Sequence, residues 1–421
     1  MNCFDEIERS LNISDKVMLL ARRAEEICER SYKRINDIKG YNQIKVLNAF
    51  RKYNVAPMHF APTYGYGYSD MGREKLESLF CELFGTEAAL VRPQIASGTH
   101  ALGLALYGIL RAGDKLVSIS GAPYDTLEEI IGIGEAGADS LVARGVEYSQ
   151  IELKDGGLDY AAIELAAGER PRMMTLQRSR GYCDRKSISI DQMKKAFDII
   201  KKVSPETVIM VDNCYGEFVD YLEPTQVGAD IAVGSLIKNI GGGIAPTGGY
   251  IVGRQCDIES ISYRLTTPGI GGEVGSYAAG YIAFFQGLYL APGAVCEALK
   301  GAAFTAAIYS LAGFDVSPKY DESRSCIIQT IRFNNSQELI AFIQSIQVLS
   351  PIESNVLPEP WDMPGYRDPV IMAAGTFVQG SSIELSADAP IREPYIAFMQ
   401  GGLASEQVKA AAINHLNGII K

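Results

Sequence analysis

Three short segments carry residues whose types and spacing suit catalysis. Ser97-Gly98-Thr99-His100 stands just before the apolar run Ala101–Leu110, which reads as a helix. Glycine lets a ligand approach the backbone, the free amides of a helix start point outward, and the hydroxyls add donors, a combination suited to phosphate. Taken alone, the same residues also read as an ordinary helix cap. The second segment, Val211-Asp212-Asn213-Cys214-Tyr215-Gly216, follows the apolar run Val208–Met210, so Asp212 falls at the carboxyl end of a buried strand. Open α/β sheets bind ligands there, and a carboxylate in such a place needs a cationic partner; a metal-binding or loop-capping aspartate is the competing reading. The third, Gly234-Ser235-Leu236-Ile237-Lys238-Asn239, runs into Gly241-Gly242-Gly243. A lone lysine in this apolar setting is expected to have a lowered pKa and to be nucleophilic, unless it simply faces solvent.

The order of the three decides between these readings. An anion cradle, then an aspartate after a strand, then Ser-x-x-Lys after the next strand is what pyridoxal phosphate requires: a phosphate site, a carboxylate that keeps the pyridine nitrogen protonated, and a lysine that forms the Schiff base. Tyr124, in Gly121-Ala122-Pro123-Tyr124-Asp125-Thr126-Leu127 after the strand-like Lys115–Ser120, is placed to stack on the cofactor ring, or is a structural tyrosine in a loop. Gly132-Ile133-Gly134-Glu135-Ala136-Gly137 satisfies a dinucleotide fingerprint in spelling, but Thr126–Ile131 before it reads as a helix where a strand is needed. It is taken as a helix end and loop.

The elements that must position these residues alternate. Short β-rich runs at Lys115–Ser120, Met173–Gln177, Val208–Asn213, Ile231–Ser235 and Tyr250–Val252 are separated by helical patterns, which predicts βαβ units and a mostly parallel sheet. One of those helices opens with a capping box, Ser189 and Gln192, and puts Met193, Phe197 and Ile200 on one face. An amphipathic N-terminal helix is expected over Asp15–Ile38, of the kind that packs on a neighbour. Beyond residue 295 the pattern becomes α+β, with strands at Cys326–Phe333, Val370–Ala373 and Ile383–Ser386 and helices at Gln337–Ile346 and Ser405–Ile419. The expected organisation is an N-terminal helical arm (1–60), a large cofactor-binding α/β domain (61–295) and a smaller C-terminal α+β domain (296–421). The Pro-rich segment Pro351–Pro369, with the single Trp361, is too long for a simple connection and is either an active-site loop or a packed surface loop.

Composition bounds the alternatives. At 421 residues the chain is long enough for two or three units with substantial cores. Its 39 basic and 50 acidic residues give a net charge of −11, which argues against nucleic acid as a partner. Eight scattered cysteines without a CxxC pair, and only three histidines, indicate neither a metal site nor a disulfide framework, and favour reduced thiols in the cytoplasm. The N-terminus is acidic and amphipathic, unlike a signal peptide. Val274–Cys296 is uncharged for 23 residues, but its four glycines, Gln286 and Pro292 point to a buried helix behind the active site, not a membrane span.

With these residues in place, the chain resembles the fold-type I pyridoxal-phosphate enzymes of Cys/Met metabolism, and within them the methionine gamma-lyase-like family also labelled aluminium resistance protein. The resemblance runs through Tyr64-Gly65-Tyr66-Gly67-Tyr68-Ser69-Asp70, Ala96–Ala101, Pro123–Leu127, Gln177-Arg178-Ser179-Arg180-Gly181-Tyr182, Val211–Asn213, Ser235–Lys238 and Ile391-Arg392-Glu393-Pro394-Tyr395. It implies Lys238 as the Schiff-base lysine, Asp212 at the pyridine nitrogen, Tyr124 stacked on the ring, and Gly98, Thr99 and Ser235 at the phosphate. Arg392 is similar in placement to the arginine that grips the substrate carboxylate, a task suited to a guanidinium fork, with a salt bridge between domains as its competitor. In the group, a tyrosine and an arginine of the partner subunit also reach the phosphate. Tyr66 fits the first role, but Gly67 occupies the place of the arginine; Arg180 is the substitute to consider, and it is also the second candidate after Arg392 for the substrate carboxylate. The resemblance further implies a homotetramer, a dimer of dimers with active sites shared between subunits. The expected activity is carbon-sulfur bond elimination, at β or γ, from methionine, cystathionine or cysteine, with Lys238 as proton shuttle and Tyr124 as proton donor to the leaving thiol. The alternatives are another pyridoxal reaction, such as an aldolase or γ-replacement, and cofactor binding without turnover.

Overall fold

The computed structural model describes residues 2–134, 137–363 and 365–420. Glu135 and Ala136 of the Gly132–Gly137 run, and Pro364 of the Pro-rich segment, lie outside the described residues.

The large sheet has seven strands: β1 (Ala88–Arg92), β2 (Lys115–Ser118), β3 (Glu147–Gln150), β4 (Met173–Gln177), β5 (Val208–Asp212), β6 (Ile231–Ser235) and β7 (Gly249–Gly253), in the spatial order β1-β7-β6-β5-β4-β2-β3. Neighbours from β6 through β5, β4 and β2 to β3 are parallel, and β7 runs antiparallel to both β6 and β1. Strands β5, β6 and β7 are buried along their whole length, as expected where helices cover both faces of a sheet. The expected parallel sheet is present, and the sequence reading missed its two edge strands. β3, Glu-Tyr-Ser-Gln, lies half-exposed beside β2 and lacks the apolar run of a central strand.

The small sheet is antiparallel throughout, in the order β10-β11-β12-β9-β8, with β8 Asp315–Ser317, β9 Gln329–Arg332, β10 Val370–Ala373, β11 Ser386–Pro390 and β12 Ile396–Gln400. The strand expected at Ile383–Ser386 is displaced to β11. Glu384 instead uses its carboxylate to accept the amides of Phe377 (2.8 Å) and Val378 (3.0 Å), tying a loop to the sheet edge. β11 itself, Ser-Ala-Asp-Ala-Pro, has little intrinsic β-propensity and is held by its two neighbours.

Two long helices join the sheets. The N-terminal helix extends to Lys52, past the expected end at Ile38, and buries Val17, Ala21, Ala24, Cys28 and Ile35. It packs along the Ile282–Leu311 helix of its own chain, which also meets the Ser405–Ile419 helix. Ile282–Leu311 is long and apolar enough to cross a membrane by length and composition, yet most of it is buried in the core. This is the expected buried helix, although Val274–Tyr281 before it is not helical. The boundary placed at residue 295 falls within it.

Candidate active site

At the carboxyl ends of β4, β5 and β6 a cavity of about 260 Å³ opens toward the small sheet. Its large-sheet wall includes Gly98, Thr99, Tyr124, Asp212, Ser235 and Lys238, so six sequence-predicted residues from four separate segments meet in one space.

Each is placed by local structure. Ser97 caps the Gly98–Ile109 helix, its hydroxyl accepting the His100 amide at 3.0 Å, and Gly98 and Thr99, whose amides have no intrahelical acceptor at a helix start, line the cavity. A Cβ at Gly98 would stand 3.4 Å from both Cys214 Sγ and Ser235 Cβ, so glycine keeps this corner open. Thr99 and Thr126 share a hydrogen bond between their hydroxyls at 2.9 Å, linking the helix start to the loop that carries Tyr124. Asp212 ends β5 and accepts the Cys214 amide at 3.1 Å.

Lys238 is positioned by close backbone packing behind it. A Cβ on Gly241 would lie 1.7 Å from Leu236 O, and one on Gly242 would lie 2.4 Å from Gly287 O. The glycine run therefore lets the lysine loop sit directly on the Ile282–Leu311 helix. A buried polar network holds the loops of β5 and β6 together. Asn239 donates to the Glu217 carbonyl (3.0 Å), Tyr250 donates to the Glu217 carboxyl (2.8 Å), and Asn213 bridges Arg178 (2.8 Å) and Glu223 (2.9 Å). Burial pushes the Glu217 carboxyl up to about 8, so this member of the network is protonated at neutral pH.

The electrostatics of Lys238 differ from the expectation of a lowered pKa. Burial does act downward, but Cys214, Tyr215 and Asp212 act upward and prevail, so the amine lies above its usual value. Its Nζ sits 3.9 Å from the centre of the Tyr215 ring. Burial raises Asp212, with Lys238 pulling in the opposite direction. Lys238 and Asp212 thus each favour the charged form of the other. The nucleophilicity of Lys238 requires that its charge be removed.

The opposite wall is one the sequence reading largely missed. It includes Tyr366, Ser381, Ser382, Ser386, Asp388 and Gln400. Tyr366 brings the Pro-rich segment to the cavity: its hydroxyl lies 2.8 Å from that of Tyr124, and both rings pack on Tyr182 at 5.8 Å. The signal for Asp388 was alternation, since Ala387 and Ala389 face the core while Ser386 and Asp388 face the cavity. Buried polar atoms on both walls, Gln177 Oε1, Ser381 Oγ and Ser382 Oγ, have no hydrogen-bond partner among the described residues. Such atoms are costly unless a polar ligand satisfies them.

Three predicted residues stand elsewhere. Arg180 is buried, but its guanidinium donates to the Ser317 carbonyl (3.0 Å), the Ser317 hydroxyl (2.9 Å) and Thr330, fastening the turn after β4 to the small sheet. Arg392 lies in the turn between β11 and β12, outside the cavity lining, and donates to Asp368 at 2.7 Å. Tyr66 is 74% exposed, in a loop pinned to its own chain by the Gly275 amide on its carbonyl at 2.9 Å.

A family model described as methionine gamma-lyase matches residues 17–420. The chain belongs to the methionine gamma-lyase family. Among its relatives is the uncharacterized protein YnbB of Bacillus subtilis, 49% identical over 392 residues, covering 93% of each chain. Among solved structures it is similar to a carbon-sulfur lyase involved in aluminum resistance from Clostridium novyi, at 48% identity, TM-score 0.95 and 99% of each chain. A protein from Clostridium acetobutylicum, described as a candidate cystathionine beta-lyase involved in aluminum resistance, matches at 47% identity, TM-score 0.96 and 99% of each chain. The fold is that of fold-type I pyridoxal-phosphate enzymes, shared at 15% identity and TM-score 0.61 with the pyridoxal-5'-phosphate-dependent protein YhfS of Escherichia coli.

Proposed function

We propose that this protein is a pyridoxal-phosphate-dependent carbon-sulfur lyase that eliminates a thiol from a sulfur-containing amino acid. The observation that carries the reading is the convergence of the Gly98–Thr99 helix start, Asp212 and Lys238 on one cavity. The residues suit the cofactor: the corner kept open at Gly98 takes an anion at a helix N-terminus, the buried Asp212 takes a protonated ring nitrogen, and orphaned polar atoms await a polar ligand. When bound, the cofactor supplies an electron sink for the charge left at the substrate's Cα.

Gly98, Thr99 and Ser235 would hold the phosphate, Asp212 would hold the ring nitrogen protonated, and Tyr124 would pack against the ring. Lys238 would anchor the cofactor through its amine and lies in the cavity to take the Cα proton. Burial keeps the Tyr124 hydroxyl protonated well above neutral pH, which suits a donor to the leaving sulfur, and Tyr366 stands behind it at 2.8 Å to restore that proton. The α-carboxylate has neutral donors within reach in the Ser381 and Ser382 hydroxyls. Arg392 is not assigned to it, because that guanidinium is committed to Asp368.

The reading extends to assembly. Tyr64, Tyr66 and Tyr68 project from their loop at 72%, 74% and 62% exposure, a surface suited to a second copy of the chain whose cavity Tyr66 would complete. Mixing Tyr66→Ala with Lys238→Ala subunits then restores activity in hybrids. No recovery in proven hybrids removes Tyr66 from the site.

The test of the activity is borohydride treatment of the cofactor-loaded protein, which fixes the label on Lys238, followed by incubation of untreated protein with a panel of sulfur amino acids. Release of thiol and 2-oxo acid is expected. A label on another residue, or none, ends the proposal.

A further inference from the structure

A second cavity, of about 390 Å³, opens between the segment that follows β4, the start of the Ile190–Val203 helix and the connection from β8 to β9. It shares no lining residue with the cavity of Lys238. Its lining includes Lys186, the hydroxyls of Ser187, Ser189, Ser323 and Ser325, and the guanidinium of Arg180, which is only 2% exposed.

Positive charge gathers here without its usual partners. Arg180 gives its guanidinium to neutral acceptors on Ser317 and Thr330, and no carboxylate lies within salt-bridge distance of it among the described residues. The acidic side chains that act on it are paired elsewhere, Asp184 with Arg332 and Glu322 with Lys186. Arg34, from the N-terminal helix, donates to the Glu322 carbonyl at 2.7 Å and to the Ser323 hydroxyl at 3.2 Å, again with no carboxylate. Arg324 stands between two of the lining serines and donates to the Ala302 carbonyl (3.2 Å) and Gln329 (2.7 Å). Its Nη1 is buried and has no hydrogen-bond partner among the described residues. Burial, and after it the positive charges of Arg180 and Arg34, push the Arg324 pKa down to about 10.

Three neighbouring guanidiniums that share no carboxylate are unfavourable unless an anion joins them, and in a chain of net charge −11 acidic side chains are not scarce. We infer that this cavity is a binding site for a phosphate group, separate from the cofactor cavity, with Arg180 and Lys186 meeting its charge and the serine hydroxyls its remaining oxygens. Guanidinium, ammonium and hydroxyl are all donors, which suits a multivalent oxyanion. Lys186 is 66% exposed and its 3.1 Å pair with Glu322 is open to water, so turning the amine inward costs little. The volume lies in the range of cavities that take small organic ligands, so the phosphate is either free or borne by a small metabolite. The site stands whether or not the lyase reading does.

The test is calorimetric titration of cofactor-loaded, borohydride-fixed protein with inorganic phosphate and with glycerol 3-phosphate, at constant ionic strength balanced by chloride. Fixing the cofactor keeps added phosphate out of the first cavity. Saturable binding is expected. Tighter binding of glycerol 3-phosphate identifies a phosphorylated metabolite as the ligand, and tighter binding of inorganic phosphate identifies the free ion. Lys186→Ala should weaken binding roughly tenfold, the loss of one hydrogen bond between charged groups. Glu322→Gln should tighten it, because Glu322 is the only carboxylate in the lining among the described residues. A purely structural pair would not give that gain. Arg180→Gln should abolish binding. It also cuts the ties to Ser317, so the two rim variants decide the matter if it folds poorly. Absence of saturable binding in the wild type overturns the inference, as does binding that Lys186→Ala and Glu322→Gln leave unchanged. Arg180 is then a clamp between the sheets and nothing more.

Discussion

On the large-sheet side of the cavity, every assigned polar group sits in the segment that follows a strand of the large sheet, at the strand end or where the next helix begins; on the small-sheet side, the polar groups sit within antiparallel strands and in loops that cross them. The first arrangement draws each functional residue from a contiguous segment with its own signature: glycine before a helix, aspartate after a buried strand, lysine before a glycine run. The second assembles Ser386, Asp388 and Gln400 from paired strands, where no residue announces itself to its sequence neighbours. The difference matches a division of labour. On the proposed function, the wall that would hold a fixed cofactor uses backbone amides and strand ends, whereas the wall that would meet a variable substrate uses side chains on a sheet.

This comparison predicts where substitutions abolish chemistry and where they only tune it. The largest effect is expected for Lys238→Ala, which removes the proton carrier and should cut turnover roughly a thousandfold or more while the fold and non-covalent cofactor binding persist. Retained turnover would move the catalytic base to the other wall. Asp212→Asn should keep the cofactor yet lose about a hundredfold in turnover, because an amide cannot hold the ring nitrogen protonated; steady-state kinetics on cofactor-saturated protein measures it.

Behind the small sheet, the expected effect is on stability. His415 packs between Tyr309 and Phe342, with Tyr309 Oη at 2.7 Å from its Nδ1, and burial lowers its pKa from 6.5 to about 4. The folded state therefore holds the ring neutral where the unfolded chain would protonate it. Above pH 6.5 the group is neutral in both states and contributes no pH dependence; between 6.5 and 4 the unfolded state binds the extra proton and stability falls, by about 3 kcal/mol over the window. Denaturant titrations across that range should show the loss in the wild type and a flatter profile in His415→Gln. Equal slopes would place the acid sensitivity elsewhere. At the cofactor corner, Gly98→Ala should fold normally, because its backbone is not in the left-handed region, and should weaken cofactor affinity about tenfold as the methyl enters the corner between Cys214 and Ser235.

The same contrast explains what was legible in the sequence. The parallel sheet could be read because its central strands are apolar runs of uniform burial, and the cofactor wall because its motifs are contiguous. β8 has three residues and β11 is built from small and polar residues, so their strand character comes from tertiary pairing. Tyr366 could not be placed from sequence because a 19-residue loop, 351–369, has no periodicity to give its direction. The raised pKa of Lys238 was missed for a related reason: its apolar sequence neighbours pointed to a lowered value, while the groups that reverse the sign come from the β5 loop in space.

The smallest effect is expected at Arg392, and it is where the comparison can be most sharply broken. The resemblance gives this residue the substrate carboxylate. In the structure its guanidinium is 40% exposed, makes a 2.7 Å ion pair with Asp368, itself 33% exposed, and lies outside the cavity lining. A pair this open to water is worth at most about 1 kcal/mol, and lysine retains the charge. Arg392→Lys should therefore leave the apparent substrate constant within about twofold of wild type and lower stability by less than about 1 kcal/mol. Substrate titrations and a denaturation curve on the same preparation measure both. A rise of tenfold or more in the substrate constant, with cofactor content unchanged, would mean that the turn between β11 and β12 swings its guanidinium from Asp368 into the cavity when substrate binds. The small-sheet wall would then be a moving element, and the positive charge that it lacks at rest would be supplied by closure.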